Sequence, residues 1–183
     1  MNPEILPIIA VIGSGAESHI EISYPLGKWL AENGFHLING GGSGVMAETA
    51  RAFIAVDNRR GKVIGVLPAQ ASCDSEEERA DYQSPPGYPN NYTEITIRTH
   101  LPHSGAQGKR LSSRNHIIVL SADVVIALPG GPGTRSEIEM AIEYGKTLLI
   151  FSPNGEWKEF EERAETVTDL QDVTQKFTHY GFA

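Results

Sequence analysis

Residues 124–137 read Val-Val-Ile-Ala-Leu-Pro-Gly-Gly-Pro-Gly-Thr-Arg-Ser-Glu. The run starts with five apolar residues, which predict a buried strand. The glycines and prolines that follow predict a tight turn that opens a helix. Glycine lets the backbone approach a ligand where a Cβ would clash, and the free N–H groups at a helix start attract anions. The stretch therefore predicts a strand–turn–helix unit that binds a phosphate, with the hydroxyl of Thr134 as a further donor.

The carboxylate of Glu137 is unusual beside a predicted phosphate site. Two interpretations stay open at this point. An acidic residue near a helix start stabilises the helix dipole, and a glycine turn can serve only as a tight connection. Alternatively, Glu137 faces the ligand and takes part in its chemistry.

Two more glycine turns follow apolar strands, at 13–15 (Gly-Ser-Gly) and at 39–44 (Asn-Gly-Gly-Gly-Ser-Gly). The carboxyl ends of parallel strands meet in one crevice, which is where open parallel sheets bind ligands. Three such turns together favour a phosphate-bearing ligand over a merely structural role. The predicted ligand-binding residues of the turns are Gly13, Ser14, Gly40, Gly41, Gly42, Ser43, Gly44, Pro129, Gly130, Gly131, Gly133 and Thr134.

The composition narrows the possible partners. A chain of 183 residues with 40% hydrophobic and 21% charged residues is typical of one globular domain. The net charge of −8 argues against binding to nucleic acid or to an anionic membrane. The single cysteine and the scattered histidines predict no metal site. Residues 1–4 lack the basic start of a signal peptide, so we expect a cytoplasmic protein.

Strands and helices alternate along the predicted chain. We predict strands at 7–13, 35–39, 62–67, 94–99, 123–128 and 147–151. We predict helices at 17–32, 45–57, 110–121, 133–145 and 156–165. Repeated βα units predict an α/β fold, here a single Rossmann-like three-layer α/β/α domain over 1–183 with a mostly parallel central sheet. Residues 69–92 are predicted to form a long irregular loop, either a lid over the ligand or a mobile segment. The pattern assigns no structure to the tail 166–183.

The common nucleotide-binding motifs are absent from the sequence. The turn at 13–15 lacks the third glycine of a dinucleotide-binding G-x-G-x-x-G motif, and the second strand ends in Asn39 rather than in an acidic residue. The Gly-Lys pairs lack the rest of a P-loop motif. The predicted ligand is therefore neither NAD nor a P-loop nucleotide.

The segment 129–137 resembles the PGGxGTxxE motif of the Lonely Guy family, the cytokinin-nucleotide phosphoribohydrolases once misnamed lysine decarboxylases. The segment 40–46 resembles the second glycine motif of that family, and 63–68 is similar to its third strand. The resemblance implies that Arg114 and Glu137 are catalytic. In this alternative the protein would release a free base from a nucleoside 5′-monophosphate such as AMP.

The segments 97–102 and 111–129 are more similar to the molybdenum cofactor carrier proteins of the same superfamily. Asn115 also stands where the hydrolases have a lysine. This resemblance implies a protein that binds the anionic cofactor as cargo without transforming it and passes it to molybdoenzymes. It implies a homodimer or homotetramer, for which the helix at 45–57 is a possible interface. The charged and polar residues predicted to bind the cofactor are Arg98, Arg110, Arg114, Asn115 and Glu137.

Overall fold

A computed structural model describes residues 5–182 of the chain. The strands in this range are β1 (Ile8–Ile12), β2 (His36–Asn39), β3 (Val63–Leu67), β4 (Ile95–Arg98), β5 (Val124–Ala127), β6 (Thr147–Phe151) and β7 (Glu165–Val167). The helices are α1 (Ile20–Glu32), α2 (Val45–Ile54), α3 (Glu76–Ala80), α4 (Asn115–Ser121), α5 (Pro132–Glu143) and α6 (Leu170–His179). The seven strands form one sheet in the order β4-β3-β2-β1-β5-β6-β7, and every neighbouring pair is parallel.

Helices cover both faces of this sheet, which confirms the predicted three-layer Rossmann-like α/β/α fold. Successive strand residues point to opposite faces, and β1 shows the consequence most clearly. Ile9 and Val11 belong to one buried cluster with α1, α2 and α6, whereas Ala10 and Ile12 belong to a second with α4 and α5. A strand buried on both faces is apolar throughout, as expected in a parallel sheet.

The predicted helices at 45–57 and 133–145 correspond to Val45–Ile54 and Pro132–Glu143, and the other three differ more from the structure. The first begins at Ile20 and contains Pro25 in its second turn, rather than beginning at residue 17. The helix predicted at 110–121 begins only at Asn115, because residues 110–114 form turns. The helix predicted at 156–165 is wrong: a short 3-10 turn at Lys158–Phe160 takes its place.

The tail 166–183 holds regular structure that the sequence pattern did not reveal. The strand β7 pairs with β6 at the edge of the sheet, and α6 follows it with Asp169 as a capping residue that accepts a hydrogen bond from the amide of Asp172. Phe177 of α6 is fully buried and packs edge-on against Trp29 and Phe35. The tail is therefore part of the core of the domain.

The apolar side of α2, which the sequence suggested as an oligomer interface, lies inside the protein. Val45, Ala50 and Phe53 are fully buried in the cluster shared with α1. Within residues 5–182, none of the helices combines the length and the apolar character that a membrane span requires.

The order in which the chain adds strands to the sheet switches between β1 and β5. Strands β2 to β4 follow β1 towards one edge, and β5 to β7 lie on its other side. A crevice forms at such a switch point, outside the carboxyl ends of the two central strands. The fold thus places the turns after β1 and β5 at opposite walls of one cleft.

Candidate functional site

A cleft of about 410 Å³ lies at this switch point. It brings together nine of the sequence-predicted residues from segments that are far apart in the chain. The predicted residues that line it are Gly13, Ser14, Gly40, Arg114, Asn115, Gly131, Gly133, Thr134 and Glu137.

The turn after β5 forms the cradle of the cleft. Helix α5 begins at Pro132, whose missing N–H suits the first helical position. The first hydrogen bond of α5 runs from the amide of Arg135 to the carbonyl of Gly131. The amides of Gly133 and Thr134 precede that bond and so have no partner within the helix. They lie on the cleft wall at the positive end of the helix dipole, which is a suitable place for an anion.

Ser14, in the turn after β1, connects all three glycine turns. Its amide donates to the carbonyl of Pro129, and its carbonyl accepts from the amide of Val45. Its hydroxyl accepts from the amides of Ala16 and Glu17. Ser14 itself lines the cleft, and its backbone hydrogen bonds hold the neighbouring turns in position.

The turn at 39–44 is mostly packed against protein. A Cβ on Gly41 would lie 2.5 Å from the side chain of Leu67, and one on Gly44 would lie 2.3 Å from the carbonyl oxygen of Ser14. Ser43 donates its hydroxyl proton to the carbonyl of Gly15. Of the five predicted ligand-binding residues in this turn, only Gly40 lines the cleft.

Gly40 gives space to the guanidinium of Arg114. A Cβ at residue 40 would lie 2.2 Å from the Nη2 atom of Arg114, so a larger residue would displace this side chain. Arg114 precedes α4 and is 5% exposed, and its Nε atom has no hydrogen-bond partner among the described residues. Burial lowers the pKa of Arg114, and the charge of Glu137 opposes that effect. The group stays charged, because the guanidinium pKa is so high.

Glu137 lies on the second turn of α5 and faces Arg114. Its Oε1 atom is 4.0 Å from Nη1 of Arg114. Burial raises the pKa of Glu137 to about 7, and the positive charge of Arg114 only partly offsets this. A cleft residue with such a shifted pKa is a candidate for function. The structure thus pairs the two residues that the family resemblance marked as catalytic.

The remaining predicted residues have different positions. Asn115 is 2% exposed at the start of α4 and lines the cleft, and its Oδ1 atom lacks a partner in the part of the chain that the structure describes. Arg98 is exposed at the end of the edge strand β4, and Arg110 is exposed before α4. Eight predicted residues lie outside the lining of the cleft: Gly41, Gly42, Ser43, Gly44, Arg98, Arg110, Pro129 and Gly130.

Several cleft residues were not found from the sequence. Tyr88 comes from the long loop 69–92, and its phenol is a polar neighbour of Arg114. The end of this loop is fixed to the second glycine turn, because the amide of Asn90 donates to the carbonyl of Gly41. Residues 104–106 also line the cleft and pack on the start of α5. The end of the loop thus contributes Tyr88 to the wall of the cleft.

The strand order and the cleft at the switch point define a protein with a Rossmann-like α/β fold. The model of the SLOG cluster4 family, within the Lonely Guy superfamily, matches residues 6–179, so the chain belongs to this family. The predicted superfamily is therefore confirmed. An uncharacterized protein from Archaeoglobus fulgidus is 34% identical over 148 residues, which are 79% of this chain and 80% of the relative.

Solved structures with the same fold include two proteins of molybdenum cofactor biology. The molybdenum cofactor binding protein from Rippkaea orientalis superposes with a TM-score of 0.73 and 23% identity, over 97% of this chain and 99% of its own. The molybdenum cofactor carrier protein from Chlamydomonas reinhardtii superposes with a TM-score of 0.70 and 25% identity, over 96% of this chain and 98% of its own.

A DNA processing protein from Helicobacter pylori also shares the fold. Its TM-score is 0.65 at 19% identity, over 94% of this chain and 80% of its own. At this identity the likeness shows the fold alone. The predicted absence of nucleic-acid binding therefore rests on the net charge of −8.

Proposed function

We propose that the protein binds, protects and carries an anionic, phosphate-bearing cofactor, and that this cargo is the molybdenum cofactor. The observation that carries the proposal is the cradle at the start of α5. It offers the helix-terminal amides of Gly133 and Thr134 in the same cleft as the buried cation of Arg114. The likeness to the two cofactor-binding proteins supports the choice of cargo.

In this proposal the amides of Gly133 and Thr134 hold the phosphate group. Charge-assisted hydrogen bonds from Arg114 offset part of the negative charge of the ligand. Tyr88 and residues 104–106 form part of the cleft wall, which would limit access of water and oxygen to the cargo. Molybdoenzymes as recipients, a homodimer or homotetramer, and a cytoplasmic location belong to the same proposal.

A second function is favoured by one specific observation, the placement of Glu137 beside Arg114 in the cleft. In hydrolysis of a nucleoside 5′-monophosphate, positive charge develops on the ribose as the bond to the base breaks. An ionised Glu137 would stabilise that charge or activate water. Arg114 would orient the nucleotide and favour the ionised form of Glu137.

The carrier proposal is tested by adding molybdenum cofactor to the purified protein without oxygen. We expect saturable binding and a longer lifetime of active cofactor when air is admitted. Gly131→Val should abolish this binding. A Cβ at this residue meets nothing within 4 Å, so the larger side chain fits without disturbing the fold and occupies the cradle. A wild-type protein that neither binds nor protects the cofactor would overturn the proposal.

Assays of AMP hydrolysis separate the two functions. The carrier proposal predicts no release of adenine by the wild type, and it predicts that Glu137→Gln still binds cofactor. The hydrolase alternative predicts turnover that is lost in Glu137→Gln. Turnover that persists unchanged in this variant would exclude Glu137 from the reaction.

A further inference from the structure

Glu137 lies in surroundings that suit a neutral carboxylic acid better than a carboxylate. Its side chain is 11% exposed, and its nearest cationic atom is 4.0 Å away on Arg114. Within residues 5–182, its carboxylate accepts no hydrogen bond from another side chain or from an amide. A buried carboxylate without hydrogen-bond donors is costly, and protonation removes that cost.

The ionisable groups around the cleft are few. Among the described residues that line it, only Tyr88, Arg114 and Glu137 have ionisable side chains. The turn after β1, the turn at 39–44 and the segment 104–106 contribute no charged side chain to the lining.

The other charged residues of α5 near Glu137 pair with each other or with exposed side chains from outside the helix. Arg135 pairs with Glu139 and Glu159, and Lys109 pairs with Glu139 and Glu143. Arg114 is therefore the single cation that lines the described cleft.

An anion that enters the cradle changes the charge balance of this cleft. With an ionised Glu137, one guanidinium would face both the carboxylate and the ligand, and the two anions would compete for it. The competition is strong because charges in a poorly solvated cleft interact more than charges in water. A neutral Glu137 leaves Arg114 to the ligand and can also donate its O–H to a ligand oxygen.

We propose that the ligand is bound with Glu137 protonated, so that the carboxyl group takes up a proton from solvent as the anion enters. Glu137 is then the residue that couples affinity to pH and selects ligands with acceptor oxygens at this position. The inference rests on the proposed anion-binding function, and it holds for any anion in the cradle.

The direction of the pH effect follows from the ionisation of Glu137. Burial raises the pKa of this group to about 7 in the free protein, and the negative charge of a bound anion raises it further. Below about pH 7 the group is already neutral, and binding requires no proton. Between about pH 7 and the higher pKa of the complex, each bound anion takes up close to one proton, so affinity falls by up to about tenfold per pH unit.

Inorganic sulfate is the probe for this coupling, because its charge does not change across the neutral range. Calorimetric titrations with sulfate at about pH 6 and about pH 8, in buffers of different ionisation enthalpy, measure the affinity and the proton uptake. We expect binding at the higher pH to be weaker by up to about tenfold, with net proton uptake there. Glu137→Gln should bind with the same affinity at both pH values and without proton uptake.

Glu139→Gln is the matched control, since Glu139 lies on the same helix and pairs only with the outward-facing Arg135 and Lys109. It should keep the pH dependence of the wild type. Sulfate binding that is independent of pH in the wild type, or equally dependent in Glu137→Gln, would overturn the inference and leave the anion site intact. No sulfate binding at either pH would instead overturn the anion site itself.

Infrared spectroscopy of the ligand-free protein provides a second readout. At about pH 6, the difference between the wild type and Glu137→Gln should contain the carbonyl band of a protonated carboxylic acid. This band should weaken as the pH rises through about 7. The same difference spectrum taken with saturating sulfate tests the bound state, and a carboxylate alone at about pH 6 in that spectrum would overturn the inference.

Discussion

The turns at 39–44 and 129–134 have similar sequences but different surroundings. In the first turn, the glycines bring protein close to protein: Gly44 has φ 62° and faces the carbonyl of Ser14, and Gly41 faces Leu67. In the second turn, a Cβ on Gly133 would lie 2.9 Å from the Cα of Gly105, but one on Gly131 would meet nothing within 4 Å. The first turn uses its glycines to pack the domain, and the second also leaves open space in the cleft, at Gly131.

The difference teaches that a glycine-rich turn after a strand has two physical uses. Glycine allows a positive φ and also allows close approach, and only the surroundings decide which of the two matters. Gly40 connects the first turn with the cleft, because the guanidinium of Arg114 occupies the space next to it. The packed turn therefore supports the cation, and the open turn supplies the amides.

The largest effect is expected at the packed turn. Gly44→Ala places a Cβ 2.3 Å from the carbonyl oxygen of Ser14 and forces a side chain into a backbone conformation that favours glycine. We expect a loss of about 3–4 kcal/mol in the free energy of unfolding. Urea denaturation measures this loss, and a change below about 1 kcal/mol would show that the turn is not tightly packed.

The open turn should give the opposite pattern. Gly131 has an extended backbone that any residue can adopt, so Gly131→Val should change the unfolding free energy by less than about 1 kcal/mol. The added side chain should weaken anion binding by about 100-fold, because it blocks the approach to the amides. Calorimetric titration with sulfate, together with urea denaturation, measures both quantities. Retained affinity would place the anion elsewhere.

The pH dependence of stability tests the ionisation of Glu137, which lies on α5 after the open turn. The pKa of Glu137 in the folded protein, about 7, lies above the value of about 4.3 for an unfolded chain. The folded state thus binds more protons between these values, and stability falls as the pH rises from about 4 to about 7. We expect this contribution to be on the order of 2 kcal/mol and to be absent in Glu137→Gln.

Urea denaturation at several pH values, compared between the wild type and Glu137→Gln, isolates this contribution. The carboxylates of Glu94, Glu156 and Glu165, whose pKa values are lowered by hydrogen bonds, are common to both proteins and cancel in the difference. Parallel pH profiles for the two proteins would show that the pKa of Glu137 is not raised by folding.

The smallest effect is expected from Tyr88→Phe. The phenol supports the charge of Arg114 from the loop side of the cleft, and its removal leaves the ring in place. We expect roughly fivefold weaker sulfate binding, about 1 kcal/mol. Tyr82→Phe in the same loop, outside the cleft lining, is the control. Equal affinity of Tyr88→Phe and wild type would remove this tyrosine from the site.

Much of the fold could be predicted because parallel strands are apolar on both faces and end at glycine turns. The apolar run at Val124–Ala127 and the turn after it placed β5 and the start of α5 correctly. The tail could not be predicted from its pattern. Its strand has only three residues, and the burial of Phe177 depends on Trp29 and Phe35, which are distant in sequence.

The site was predictable where local sequence determines local structure. The cradle at Gly133 and Thr134 follows from the turn, and the resemblance indicated Arg114 and Glu137. The contribution of Tyr88 could not be predicted, because it depends on how the loop 69–92 attaches to the turn at 39–44 through Asn90. The packing role of Gly41 and Gly44 was also hidden, since it depends on Leu67 and Ser14.

A crystal structure of the protein with bound molybdenum cofactor, prepared without oxygen, is the most direct test of the account. The account predicts that the phosphate of the cofactor lies within hydrogen-bond distance of the amides of Gly133 and Thr134 and next to Arg114. Cofactor bound at another surface, or a phosphate held by the turn at 39–44 instead, would contradict it.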